Sequence, residues 1–191
     1  QDLDYSVTYL SNKNVGTAKV VICGKGVYTN SLTKTFTIRP ETMASAVITG
    51  CKAKYSYTGK QVKPLIQVVW NGKILRNNTD YTLLYKNNKK RGSAGIVVTG
   101  KGNYSSTLTA SFTIVRASVK KASVTGLKAV YARTGKAVKP KVTVKLGGKK
   151  LKKKRDYILS YRKNKKKGTA LLYVKGVGNY SGTKKMKFKI R

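Results

Sequence analysis

The sequence predicts an all-β chain, built as tandem antiparallel β-sandwich modules of about 76 residues per repeat. Three observations predict it. The pairs Asp4-Tyr5, Asp80-Tyr81 and Asp156-Tyr157 stand 76 residues apart, as do Gly16, Gly92 and Gly168. Tyr28, Tyr104 and Tyr180 repeat at the same interval, and so do Phe36, Phe112 and Phe188. Second, Ala94, Ile96 and Val98 alternate with Gly95, Val97 and Thr99, the period of two that marks a half-buried strand. Third, no window carries the 3.6-residue period of an amphipathic helix. A content of 13 Tyr and 18 Gly, with many Val, Thr and Ile, favours strands and turns.

The elements of the copy that starts at residue 41 follow in order. Ala46–Thr49 is a short apolar run closed by Gly50, and Tyr55 and Tyr57 alternate ahead of the Thr58-Gly59 turn. Pro64–Trp70 is predicted as a strand opening on a proline, which suits a first or edge position because proline donates no ladder hydrogen bond. Asn71-Gly72 is a two-residue hairpin signal, replaced by Gly147-Gly148 one repeat later. Asp80–Lys86 reads as a strand, Asn87–Arg91 as a polar turn ending at Gly92, and Ala94–Thr99 as the next strand. Its equivalents are Ala18, Val20 and Ile22, and Ala170, Leu172 and Val174. The last strand points Ala110, Phe112 and Ile114 inward, matched by Met186, Phe188 and Ile190. Six or seven short strands at regular spacing in such a unit read as a β-sandwich of immunoglobulin type.

The array divides into 1–40, the C-terminal half of a truncated first repeat, 41–117, the second repeat, and 118–191, a highly basic third. Starting in mid-repeat at Gln1, the chain reads as a piece of a longer polypeptide with domains upstream. No Gly/Ser-rich linker separates the copies, which implies limited bending between neighbours. The half-repeat alone would expose Val20, Ile22 and Phe36, so it is expected to pack on the second copy, exchange with another molecule, or fray. Cys23 aligns with Thr99 and Cys51 with Leu127, so the repeat does not need either thiol. Spacing leaves a bridge between them open, and two substituted thiols are the expected state.

The strings Tyr57–Pro64 (YTGK-x-VKP), Asn71–Leu75 (NGK-x-L), Asp80–Asn88 (DYT-x-x-YKNN), Gly100–Ser105 (GKGNYS) and Phe112–Ile114 carry a family likeness. They resemble the immunoglobulin-like tandem repeats of surface and secreted proteins of Gram-positive, often gut-dwelling, bacteria. The resemblance covers nearly the whole chain. It implies an extracellular, cell-surface or cell-wall location and a general-purpose stalk or spacer of the kind attached to hydrolases, adhesins and wall-binding proteins. The third copy departs from it in its lysine load.

Charge is layered on the scaffold. The chain has 42 Lys+Arg, 5 Asp+Glu and no His, a net charge of +37. Residues 1–40 carry +3, residues 41–117 carry +10 and residues 118–191 carry +24. Three basic groups stand out in the third copy. Lys149, Lys150, Lys152, Lys153, Lys154 and Arg155 surround Leu151; Lys163, Lys165, Lys166 and Lys167 follow Arg162 in the next turn; Lys185, Lys187 and Lys189 alternate with core residues of the last strand. The second copy has Thr109, Ser111 and Thr113 at those last three positions. Continued to Arg191, where the second copy has Val115, a neutral face has become a cationic stripe about 20 Å long. A few lysines would suffice for solubility; this density, which repels itself, points to a polyanion partner.

Catalysis needs acids, bases, nucleophiles or metals in mutual reach. With no His, and one carboxylate in the third copy, neither a nucleophile–histidine pair nor a two-carboxylate glycosidase site can be assembled there, and no cofactor or metal is implied. The repeated Asp-Tyr reads as structural, the Asp taking turn amides and the Tyr burying its ring. Tyr28, Tyr104 and Tyr180, each closing a glycine-rich turn, read as plugs at the module's end. An anionic wall polymer such as teichoic acid is the expected partner. Non-specific nucleic-acid binding is the alternative, and against it no stacking aromatics interleave with the lysines. An inert stalk of an adhesin or hydrolase is the third reading. No apolar stretch is long enough to span a membrane as a helix.

Overall fold

A computed structural model describes residues 3–191. It is all-β, with no α-helix among the described residues and no helix long and apolar enough to cross a membrane. The first strands are β1 (Tyr5–Leu10), β2 (Gly16–Gly24) and β3 (Ser31–Ile38), hydrogen-bonded antiparallel in that order. Then follow β4 (Glu41–Thr42), β5 (Val47–Thr49), β6 (Lys54–Ser56), β7 (Gln67–Trp70), β8 (Lys73–Leu75), β9 (Tyr81–Lys86), β10 (Gly92–Gly100), β11 (Tyr104–Ser105) and β12 (Thr107–Val115). The last part holds β13 (Ala117–Ser118), a 3-10 turn (Val119–Lys121), β14 (Ser123–Thr125), β15 (Val130–Tyr131), β16 (Thr143–Leu146) and β17 (Lys149–Lys150). It ends with β18 (Tyr157–Arg162), β19 (Gly168–Gly176), β20 (Tyr180–Ser181) and β21 (Thr183–Ile190).

Strand pairing recurs with the sequence period. Tyr5 faces Gly24, Tyr81 faces Gly100 and Tyr157 faces Gly176 in three antiparallel hairpins of one register. Three-stranded sheets β5-β7-β8 and β14-β16-β17 match, as do four-stranded sheets β6-β12-β10-β9 and β15-β21-β19-β18. Asn71 and Gly72, both at positive φ (45° and 75°), turn β7 into β8 as the dipeptide predicts.

Three features differ from the strand-by-strand expectation. The strand predicted from Pro64 begins at Gln67 instead. Pro64 is tied by a side chain, its carbonyl accepting from Tyr85 Oη at 2.7 Å, and Tyr161 does the same for Pro140. Two ladders per copy are parallel: β4 with β11 and β6 with β12, then β13 with β20 and β15 with β21. The sheets are therefore mixed at their margins rather than wholly antiparallel. A 3-10 turn also stands at Val119–Lys121, capped by Ser118 Oγ, which accepts from Lys120 N.

In the third copy the two sheets share one core. Val144 and Leu151 on one side join Leu172, Val174, Phe188 and Ile190 on the other in a single buried cluster. Contacts divide the chain into two compact units, one of residues 1–51, 64–86 and 95–111, the other of residues 52–63, 87–94 and 112–191. No disulfide joins Cys23, which is exposed, to Cys51, which is half-buried.

Candidate polyanion-contact surface

The first basic group is carried by β17 and the loop into β18. Leu151 pins the segment: it is buried, and its N–H donates to the Val144 carbonyl at 2.8 Å. The loop closes on Asp156, whose N–H donates to the Lys152 carbonyl and whose Oδ2 accepts from Lys152 N at 2.9 Å. Lys152, Lys153 and Lys154 are thereby turned to solvent. Arg155 is engaged differently. Its Nε and one terminal nitrogen each bond Asp156 at 2.9 Å, a two-point grip that holds the Asp156 carboxyl below its ordinary range against the opposing effect of burial. Arg155 therefore belongs to the fold more than to the candidate contact. Lys149 Nζ lies over the Tyr57 ring, 5.8 Å from its centre, and Tyr57 with Tyr180, Leu146, Ser118 and Lys121 lines a cavity of about 490 Å³.

The second group is the β18–β19 turn. Asn164 anchors it, exchanging two hydrogen bonds with the Val138 backbone at 2.7 and 2.8 Å. Lys163, Lys165, Lys166 and Lys167 remain exposed around a concave loop.

The third group follows the alternation of β21. Met186 is half-buried and Phe188 and Ile190 are buried, while Lys185, Lys187 and Lys189 are exposed. Cross-strand register extends the stripe into a face. Lys185 stands opposite Tyr173 and Lys187 opposite Leu171. Tyr173 in turn faces Ser160, and Leu171 faces Arg162. The Arg162 guanidinium lies 5.7 Å from the Tyr173 ring centre. An aromatic ring thus does stand among the cations, contrary to the sequence expectation. The signal was present: Tyr173 and Leu171 replace Val97 and Gly95 of the second copy on the outward face.

The three groups do not form one patch. Gly168 pairs with Ile190, so the Lys163–Lys167 turn and Lys189 share one end of the sheet. Tyr157 pairs with Gly176, so the Lys152–Arg155 loop enters at the other end. Six residues of β18 separate them, about 20 Å.

The repeated residues have structural roles. Asp80 Oδ2 accepts from Arg76 N at 2.8 Å, as Asp156 does from Lys152. The carbonyls of Asp4, Asp80 and Asp156 accept from the N–H groups of Lys25, Lys101 and Val177. Tyr81, Tyr157 and Tyr180 are buried, and Tyr104 is half-buried, edge-on to Trp70 at 5.5 Å and accepting from Lys73 Nζ at 3.0 Å. Tyr5 and Tyr28 are exposed, so in the first copy the expected burial of the ring is not met. Comparison with family models, curated proteins and solved structures returns no match to this chain.

Proposed function

We propose that this chain is a non-catalytic extracellular spacer and attachment segment of a bacterial surface or secreted protein. It is built of immunoglobulin-like repeats, and the basic third copy contacts an anionic wall polymer of the teichoic-acid kind. One observation carries the reading. The outward side of β21 presents Lys185, Lys187 and Lys189 where the equivalent side of β12 presents Thr109, Ser111 and Thr113, while Phe112/Phe188 and Ile114/Ile190 beneath are unchanged. Charge was altered where the fold is indifferent to it. Lysines are mobile point charges that follow a flexible phosphate chain without reading its sequence. The single acidic side chain of this copy, Asp156, is gripped by Arg155 and is not on the stripe.

The test is retention of the full chain on purified cell walls, with and without teichoic acid, across a salt series, beside the triple variant Lys185→Thr, Lys187→Ser, Lys189→Thr. Retention that falls steeply with salt, needs teichoic acid and weakens in the triple variant supports the reading. It should change little between about pH 5 and 8, because the chain has no His. Retention indifferent to salt and to the three substitutions rejects it.

A second reading rests on Tyr173. A ring beside Arg162 and Lys185 is a stacking platform for single-stranded nucleic acid. Equal retention on single-stranded DNA, lost with Tyr173→Thr, would favour it.

A further inference from the structure

Apart from Ala18, which is buried, the inward face of the β1-β2-β3 sheet is largely open. Phe36 is 40% exposed, whereas Phe112 and Phe188 are each 2% exposed. Tyr5 is 37% exposed against 3% for Tyr81. Tyr9 and Leu32 are exposed on the same face, in register with Val20 and Ile22. Beside them a cavity of about 520 Å³ is lined by Tyr5, Ile22, Val27, Tyr28 and Leu32. Lys34, opposite Val20, interrupts this face between Leu32 and Phe36, and the exposed apolar residues on either side of it mark a contact surface.

The other two copies say what fits there. In the second, Glu41 and Thr42 pair in parallel with Tyr104 and Ser105, Met43 is fully buried, and Tyr55 pairs in parallel with Ile114. In the third, Ala117 and Ser118 pair with Tyr180 and Ser181, Val119 is fully buried, and Tyr131 pairs with Ile190. Val119 belongs to one buried cluster with Tyr157, Val174 and Tyr180, the counterparts of Tyr5, Ile22 and Tyr28 around the open cavity. In both copies the tyrosine follows the apolar plug by twelve residues. It meets the repeated phenylalanine edge-on, at 5.2 Å for Tyr55–Phe112 and 5.4 Å for Tyr131–Phe188.

The first copy has the receiving parts in place. Its turn makes the hydrogen bonds Gly24 N to Asn30 O at 2.9 Å and Tyr28 N to Lys25 O at 3.1 Å, as the other two turns do at Gly100 and Tyr104 and at Gly176 and Tyr180. The carbonyls that accept Glu41 N and Met43 N in the second copy, those of Asn103 and Ser105, correspond to Val27 and Thr29. β3 is a sheet edge, whereas its counterparts β12 and β21 take β6 and β15 as outer neighbours.

We infer that the face of β1-β2-β3 is a receptor for an extended polypeptide patterned like residues 41–57, with an apolar plug at Met43 and a tyrosine at Tyr55. The plug enters the cavity between Tyr5 and Leu32, and the tyrosine meets Phe36 by strand addition along Thr37–Ile38. Residues 41–57 carry Glu41, Lys52 and Lys54, net +1, and residues 1–40 carry +3, so apolar burial and ladder bonds drive the docking, not charge.

A fluorescein-labelled synthetic peptide of residues 41–57, with Cys51→Ser, is titrated with the full chain and read by anisotropy. Saturable binding is expected, weakened at least about tenfold by Phe36→Lys in the chain and by Met43→Lys in the peptide. The chain variant Thr35→Lys, on the opposite face of β3, should bind as the parent does. The peptide variant reads the contact on an unaltered chain, so a misfolded Phe36→Lys protein does not decide the matter. Absence of saturable binding overturns the inference. So does binding that ignores both lysine substitutions, which would mean exchange into the second copy. Concentration-dependent dimerisation of the chain, abolished by Phe36→Lys and unaffected by peptide, would assign the face to a second copy and overturn it as well.

Discussion

Tyr131 meets Phe188 edge-on, ring centres 5.4 Å apart and planes at 79°, so the ring edge of one rests on the electron-rich face of the other. Tyr55 and Phe112 repeat the arrangement at 5.2 Å and 77°. Phe188 lies in a closed core and Phe36, the same repeat position, does not. Phe188→Ala should therefore cost about 3–5 kcal/mol. Phe36→Ala should cost under about 1 kcal/mol, since little is removed from a buried setting. Denaturant midpoints of the two variants measure the difference, and equal losses would contradict the burial pattern.

Acid should unpick the Asp156 loop. The Arg155 grip lowers the Asp156 pKa in the folded chain, so the folded state holds that proton less readily than the unfolded one. The stabilisation is fully present above the unfolded value of about 3.9 and is lost as pH falls through the lowered folded value. Thermal melts between neutral and strongly acidic pH should show the loss, and Asp156→Asn should flatten that limb. Asp156→Ala should cost about 2 kcal/mol at neutral pH, because Lys152 N also loses its acceptor.

Alkali should act through phenols. Burial raises the pKa of Tyr81, Tyr157, Tyr161 and Tyr180, so each folded phenol keeps its proton longer than the unfolded one. Their contribution is intact below the unfolded value of about 10 and is lost as pH rises through the raised folded values. Phenolate absorbance from these four rings should appear together with loss of structure. Tyr161→Phe should remove the bond to the Pro140 carbonyl and about 1 kcal/mol with it.

Backbone crowding makes Gly176 irreplaceable. A Cβ there would lie 2.7 Å from Ser181 N and 2.8 Å from Ser181 O, backbone atoms that have no flexible end to swing away. Gly176→Ala should destabilise by about 1–3 kcal/mol. At Gly147 and Gly148 no neighbour comes within contact distance, and positive φ (55° and 76°) is the demand. Gly147→Asn, which restores the residue found at Asn71, should be close to neutral in stability. Chemical denaturation of both variants separates crowding from conformation.

The sequence made the alternation of Ala94, Ile96 and Val98 legible because a half-buried strand exposes every second residue, and those three are buried. It made the Asn71-Gly72 turn legible because few dipeptides tolerate two positive φ angles in succession. The parallel ladders were not legible: Tyr55 and Ile114 are far apart in the chain, and a pairing of three residues leaves no periodic trace. The onset of β7 is not legible, because Pro64 is a residue type that suits a strand start but is held by Tyr85. At the candidate surface, alternation gave Lys185, Lys187 and Lys189. It could not reveal that Arg155 is turned onto its neighbour, or that Arg162 and Tyr173 join the stripe across the strands.

The outward side of β12 has the same backbone as that of β21 and carries Thr109, Ser111 and Thr113. None of the three side chains sits in the core beneath, so the frame places almost no demand on what they are. That makes the second copy an unwritten page of the same shape. Installing Tyr, Asp or Lys at these three positions would give one chain two differently addressed faces, with the folding instructions left untouched.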